Sequence, residues 1–391
     1  MNIPLLDLRA QYAAIREQVR AAVDDVLDSQ RFILGPHVEA LEQEVAKFCG
    51  VPHAVAVASG TDALLLSLKA LGVGPGDSVV TVPFTFFATA GAIVNLGARP
   101  LFVDIDDKTF NMDPERLEQF LSLDCTFNLT AHRVVHTASD TTVKAILPVH
   151  LYGQCADMDG ILQNAQRYRL PVVEDACQAI GATYRGRCAG TMGDFGCFSF
   201  FPSKNLGGAG DGGMVVTSSA ELAAHVRLLR GHGARPKYHH AVVGFNSRLD
   251  EIQAAILRVK LGYLTEWSRA RGHNAESYEE ELRAAGLLNR VRTPVTVAEC
   301  THIFHQYVLR CRERDELHAF LKSKGIGTEI YYPLCLHEQE CFRYLGYSPG
   351  DMPRSRAAAQ EVLALPIYPE LTRDQISCVV GAIAEFFGKT P

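Results

Sequence analysis

Residues 54–71 read AVAVASGTDALLLSLKAL: an apolar run, a Ser-Gly-Thr turn, then apolar residues at helical spacing. A short apolar strand that turns through small residues into a helix is the repeating unit of α/β folds. GVGPGD (72–77) makes a turn, SVVTVPF (78–84) a strand, FATAGAIVNLG (87–97) a helix and PLFVDID (100–106) another strand. The alternation returns at AILPVHLYG (145–153), the helix ADMDGILQNAQRY (156–168) and the strand LPVVEDA (170–176). Such strands imply a largely parallel sheet covered on both faces, with residues from about 30 to 250 forming one α/β domain. Helical periodicity then runs unbroken over 250–286, as a long connecting helix into a smaller α+β domain. HQYVLRC (305–311), DELHAFLKSKG (315–325) and IGTEIYY (326–332) supply strands and helices there. The polar stretch 122–142 reads as an exposed, irregular insertion.

The chain has 391 residues, which at ~150 residues per domain suggests two or three domains, or one large domain with an appendage. Its net charge of −6 excludes a nucleic-acid partner bound by phosphate neutralisation, which calls for a basic face. With 47% hydrophobic and 21% charged residues, wholesale disorder is excluded too. No apolar run approaches the ~18–20 residues that span a bilayer. The opening MNIPLLDLRAQY lacks the basic end and apolar stretch of a signal peptide. The eleven cysteines are odd in number and contain no CxxC pair, so they read as reduced thiols of a cytoplasmic protein, with no metal site. In that compartment the sequon Asn128-Leu129-Thr130 carries no glycan.

Glycines at 208, 210 and 213 spell GxGxxG, but a strand (MVVTS) follows them where the dinucleotide fingerprint needs a helix. Ser59-Gly60-Thr61-Asp62 does sit at a strand-to-helix junction, where it is either a simple N-cap or an anion site built from free N–H groups and the helix dipole. Asp175 ends an apolar strand, the edge at which open α/β sheets place ligand-binding groups. Lys204 follows the apolar run FGCFSFFPSK and enters a glycine-rich turn. A buried Asp, an accessible Lys and an anion-binding helix start together meet the needs of pyridoxal 5'-phosphate (PLP). The lysine forms the imine, the Asp pairs with the pyridine nitrogen and the helix start holds the phosphate. Opposite charges ~4 Å apart at an effective dielectric of ~20 interact by about 4 kcal/mol. At ~1.4 kcal/mol per pKa unit, that keeps the pyridine nitrogen protonated at neutral pH.

Eight segments in order then resemble the sugar-nucleotide aminotransferases of the DegT/DnrJ/EryC1/StrS family. They are IPLLDLRAQY, FILGPHVEALEQEVAKFCGV, ASGTDALLLSLKALGVGPGD, VPFTFFATAGAI, PVHLYGQCADMDGI, VEDACQAIGATYRG, GDFGCFSFFPSKNLGGAGDGG and GFNSRLDEIQAAIL. The resemblance implies the fold-type I, aspartate aminotransferase-like architecture of PLP-dependent transferases. It comprises a large domain (1–257, with an N-terminal arm) around a mostly parallel seven-stranded sheet flanked by helices, and a smaller C-terminal α+β domain (258–391). It also implies a homodimer with shared sites, keto sugar nucleotides (UDP- or dTDP-linked) as amino acceptors and L-glutamate as donor.

By the same resemblance Lys204 is the Schiff-base lysine and acid/base, Asp175 the pyridine-nitrogen partner and Gln178 the group bonding the ring's 3-oxygen. Gly60, Thr61 and Ser199 match phosphate-binding positions, and Asn246 one that reaches the phosphate of the neighbouring subunit. Phe86 falls where an aromatic ring stacks on the cofactor, with Phe84 close enough in sequence to compete. Arg248, His305, Tyr307 and Tyr331 resemble substrate-side positions. EDACQ replaces the family's common EDAAQ, placing Cys177 beside the cofactor as packing. KYHHAVVGFNSRLDEIQAA resembles members acting on 3-keto rather than 4-keto sugars, and a lysine where a dehydrating branch has histidine favours transamination. Two rivals remain: a PLP-binding regulator, expected to carry a DNA-binding module for which this chain leaves no room, and a lyase or desulfurase acting on an amino acid.

Overall fold

In the computed structural model, residues 2–128 and 133–388 are described; Leu129 and Thr130 of the sequon lie outside them. Helices α1 (Leu8–Ser29) and α2 (Pro36–Cys49) precede β1 (His53–Val57). Helix α3 (Gly60–Ala70), β2 (Asp77–Thr81), α4 (Ala88–Asn95) and β3 (Arg99–Phe102) then alternate. Next come α5 (Pro114–Leu123), β4 (Cys125–Asn128), β5 (Arg133–His136), β6 (Thr141–Ile146), α6 (Met158–Tyr168) and β7 (Val173–Asp175). The two-residue strands β8 (Thr183–Tyr184) and β9 (Arg187–Cys188) lead to β10 (Phe195–Ser199), β11 (Gly213–Thr217) and α7 (Ala220–Arg230).

A four-stranded sheet, β1-β11-β10-β7, meets the β6-β2-β3 part of a five-stranded sheet, β4-β5-β6-β2-β3, through single parallel bridges at Ile146–Val172 and Val149–Asp175, so that seven strands run in the order β1-β11-β10-β7-β6-β2-β3. Of these seven, β11 alone is antiparallel to its neighbours. Alternate side chains of a strand face opposite ways, and here both faces are apolar and covered. Val55, Val57, Val79, Cys197 and Val215 pack toward α3 and α7. Ala54, Ala56, Val80, Phe198 and Met214 enter the larger core on the other side. That double burial explains why the strands read as continuous apolar runs.

Two expectations fail here. Within 122–142 the described residues are not irregular: β4 and β5 pair antiparallel, and β5 pairs with the first half of β6. The alternation was hidden because each strand has only four residues. The long helix over 250–286 is two helices, α8 (Glu251–Leu261) and α9 (Leu264–Ala284). The break falls at Gly262, a weak helix former, and Tyr263 N–H turns back to Lys260 O at 3.0 Å. Helix α8 packs on α1 and α2 and runs through residue 257.

C-terminal to α9 come β12 (Cys300–Thr301), which pairs with β8, then β13 (Tyr307–Arg310), α10 (Arg314–Ser323), α11 (Pro353–Glu361), β14 (Val362–Leu365) and α12 (Arg373–Phe386), and around β13, α10, β14 and α12 a second lobe forms. Its core joins Tyr278 and Leu282 of α9 to Leu309, Leu321, Leu363 and Ile383. Ile3 belongs to this core as well, for its N–H donates to Gly325 O at 2.9 Å and its carbonyl accepts from Gly327 N at 2.7 Å. The N-terminal arm thus docks on the second lobe. Among the described residues no helix is long and apolar enough to cross a membrane.

Beneath the sheet edge, Glu174 is fully buried and saturated. Its oxygens accept from the N–H groups of Gly190 (2.8 Å), Met192 (2.6 Å) and Gly193 (2.6 Å). His150 Nε2 donates to it at 2.8 Å, since His150 Nδ1 accepts from Ala156 N. A buried carboxylate holding three peptide donors cannot be replaced by an amide without opposing N–H groups. Glu174→Gln is expected to lower stability by about 3–5 kcal/mol, read from denaturant unfolding.

Candidate active site

Asp175 ends β7 at the carboxyl edge of the parallel strands, 5% exposed. Its Oδ2 accepts from Thr89 Oγ1 at 2.8 Å and its Oδ1 from Cys177 N at 3.3 Å. Because Thr89 spends its proton there, Thr85 must donate to Thr89, across 3.0 Å. Among the described residues no Lys, Arg or His side chain forms a salt bridge with Asp175. A buried carboxylate held by neutral donors alone calls for a cationic ligand atom.

Lys204 lies in the turn after β10 and is partly exposed. Burial lowers its pKa below the ordinary 10.5, and the nearby Asp175 carboxylate opposes that shift. Cys177, the other neighbour, adds no charge near neutrality because burial and Asp175 push its thiol well up. The shift is in the direction that favours the free amine a nucleophile requires.

Helix α3 starts at the same edge. Ser59 Oγ accepts from Asp62 N at 3.1 Å, and Ser59 O from Ala63 N at 2.9 Å. The N–H groups of Gly60 and Thr61 are left for an anion. A Cβ at residue 60 would lie 2.6 Å from Ser199 Cβ and 3.0 Å from Cys177 Sγ, so only glycine lets the helix start approach β10 this closely. Ser199 Oγ accepts from Phe201 N at 3.3 Å and keeps its own proton to donate. An acidic edge group, an amine whose pKa burial lowers and this cradle fit PLP, of which Asp175 would hold the ring nitrogen, Lys204 the aldehyde carbon, and Gly60, Thr61 and Ser199 the phosphate.

Gln178 is buried beside Asp175. Its Oε1 accepts from Tyr152 N at 2.8 Å and its Nε2 donates to Tyr332 Oη at 3.0 Å. Tyr152 adopts a left-handed backbone (φ 58°), and its hydroxyl reaches the carbonyl of Tyr331. Phe84 is fully buried, whereas Phe86 is 56% exposed with its ring 6.2 Å from that of Tyr332. Of the two phenylalanines, Phe86 is the one open to a ligand.

His305 is buried against the residue that follows Lys204: its Nδ1 lies 3.1 Å from Asn205 Oδ1, while Asn205 Nδ2 donates to Ile303 O at 3.1 Å. The amide oxygen can only accept, so His305 carries its proton on Nδ1. Burial, then Lys204 and the buried Arg271, hold its pKa well below the usual 6.5. Tyr307, expected on the substrate side, is instead 2% exposed in the second lobe's core, stacked on Tyr278 at 4.8 Å. Position 305 ends a loop at the lobe boundary, but 307 lies on β13 with its ring turned inward. Tyr331 is half-buried and enters the network through its carbonyl. Asn246 and Arg248 bond to each other at 2.6 Å near the surface, with no hydrogen bond to Asp175, Gln178 or Lys204 among the described residues.

Thr89, Tyr152 and Tyr332 were not anticipated. The doublet Tyr331-Tyr332 offered a signal for the last of these; nothing marked Thr89 apart from any other helix residue. All eleven cysteines are free thiols.

Gly60→Ala is expected to weaken PLP binding at least tenfold, measured by equilibrium titration of the apoprotein, because the added methyl closes the cradle. The lowered pKa of Lys204 means that its free amine persists to lower pH than that of an exposed lysine. PLP capture at Lys204, followed by absorbance and by peptide mapping after borohydride, is therefore expected at pH values where exposed lysines stay unmodified.

Residues 13–384 match the DegT/DnrJ/EryC1/StrS aminotransferase family. A "Pleiotropic regulatory protein" of Geobacillus stearothermophilus is 48% identical over 387 residues, 99% of each chain. The UDP-N-acetyl-3-dehydro-alpha-D-glucosamine 3-aminotransferase of Acidithiobacillus ferrooxidans is 44% identical over 381 residues, 97% of each. The structure of S. venezuelae DesV in complex with a ketimine intermediate superposes with a TM-score of 0.91 at 40% identity, covering all of both chains. The chain belongs to the DegT/DnrJ/EryC1/StrS family of PLP-dependent aminotransferases, built on the fold-type I scaffold.

Proposed function

We propose that this chain transfers the amino group of L-glutamate to a 3-keto sugar nucleotide, UDP- or dTDP-linked, to make an amino sugar. The observation that carries the reading is Lys204 close to a buried Asp175 that has no salt-bridge partner among the described residues. The relative named as a UDP-linked 3-dehydro sugar 3-aminotransferase supports the 3-keto acceptor. Bound PLP supplies the electron sink that makes the substrate's C–H bond acidic. Asp175, held by Thr89, keeps the pyridine nitrogen protonated, and Gly60, Thr61 and Ser199 fix the phosphate. Lys204 Nζ holds the cofactor and then moves the proton to and from the reacting carbon. Phe86 covers the ring, and Tyr331 lies toward the substrate side.

Asn246 and Arg248 act across a homodimer. Both belong to a surface segment bridged to Gly231 and Ala58, and among the described residues neither forms a hydrogen bond with its own chain's Lys204. Arg248 would meet the diphosphate or a sugar carboxylate. Mixing inactive Lys204→Ala and Asn246→Ala chains under subunit exchange is then expected to restore turnover, because one composite site in the hybrid is intact. Absence of any recovery despite proven exchange overturns the shared site.

A relative named as a regulatory protein favours a second reading, cofactor binding without turnover. Single-turnover conversion of bound PLP to the pyridoxamine form by glutamate separates the two. Mass spectrometry over a panel of UDP- and dTDP-linked 3-keto and 4-keto sugars then reads the acceptor. Lys204→Ala is expected to lose both the absorbance of covalently held PLP and the half-reaction.

A further inference from the structure

Gln178 is the residue expected to bond the cofactor's 3-oxygen, and its hydrogen bonds constrain a second residue. Tyr152 N–H can only donate, so the oxygen of the Gln178 amide must face it. The amide nitrogen therefore faces Tyr332, and Tyr332 Oη is the acceptor in that 3.0 Å contact. The hydroxyl proton of Tyr332 is not consumed by Gln178, and no acceptor for it is found among the described residues. It stays on the oxygen, because burial raises the phenol's pKa, as do the nearby Asp175 and Tyr331. The ring neighbours those of Phe84 and Phe86, each with its centroid 6.2 Å away.

The position of this hydroxyl is well determined. Tyr152 ties both ends of the cluster, Gln178 through its N–H and Tyr331 through its hydroxyl. Leu336 N donates to Pro83 O at 2.8 Å, and Glu329 pairs with Ala364 of β14, so the Tyr331-Tyr332 segment is anchored to both lobes.

We propose that Tyr332 is a further cofactor-binding residue: its O–H and the second N–H of Gln178 form a two-donor clamp on the 3-oxygen of PLP. The inference rests on the PLP site at Lys204. Two donors on one oxygen stabilise its anionic form, and so lower the pH at which the proton it shares with the imine nitrogen of the Lys204 linkage is lost. Removing one donor moves that pH upward.

The test is a pH titration of the absorbance of full-length protein loaded with PLP, together with its PLP dissociation constant. Tyr332→Phe is expected to raise the midpoint by about one pH unit, a tenfold change in the equilibrium, and to weaken PLP binding. Replacing Tyr332 by 3-fluorotyrosine, a stronger donor of nearly the same size, is expected to lower the midpoint. The fluorinated protein keeps the test decisive if the Phe variant melts early. A midpoint that neither substitution moves, or a change confined to KM for the sugar, overturns the clamp. If the wild-type protein shows no covalently held PLP at all, it is the proposed function that fails.

Discussion

The active edge depends on the last two residues of β7, which carry adjacent carboxylates into opposite surroundings. Successive side chains of a strand diverge, so Glu174 goes under the sheet and Asp175 over its edge. Glu174 is saturated by three peptide N–H groups and the His150 imidazole, and in return it fixes the 190–193 turn that feeds β10. Strand β10 places Ser199 and, a turn later, Lys204. Asp175 is left with two neutral donors and an unmet need for a cation. One carboxylate is structural because its partners are complete; its neighbour is chemical because its partners are not.

This arrangement explains which features could be read from the chain. Ser199 was legible only through the family resemblance, and Lys204 was marked by the glycine-rich turn it enters, whereas Asp175 and Gly60 lie where a strand ends or a helix begins, so strand and helix periodicity located them. The β1-to-α3 junction was legible for the same reason, since Val55 and Val57 continue directly into Gly60. The residues that complete the site were not visible, because they approach from other segments. Thr89 reaches Asp175 from α4, Tyr152 reaches Gln178 through a left-handed turn, and Tyr332 comes from beyond the second lobe's first strands. Tyr307 was misplaced because β13 is only four residues long, too short for its buried face to be told from its open one. The division of 250–286 into two helices was missed because Gly262 interrupts a pattern whose apolar spacing continues on both sides.

Sugar-side chemistry is held differently from cofactor chemistry. The cofactor's proposed contacts come from strand ends and helix starts whose backbones are committed to the sheet. Arg248, proposed for the sugar side, instead sits on a surface segment tied down by single bridges, such as Gly231–Asn246, and by Ser247 Oγ accepting from Ala58 N at 3.3 Å. A rigid centre with variable edges suits a family in which one reaction serves many sugars.

The docking of Ile3 between Gly325 and Gly327 closes the polypeptide into a loop. During synthesis the arm is made long before the segment that receives it, and its apolar Ile3 and Leu6 have no seat until α10 and the turn after it have emerged. The second lobe therefore cannot finish folding in step with translation; its core closes only when nearly the whole chain is available. Early residues that depend on late ones make the closing of this core a meeting of segments more than 300 residues apart.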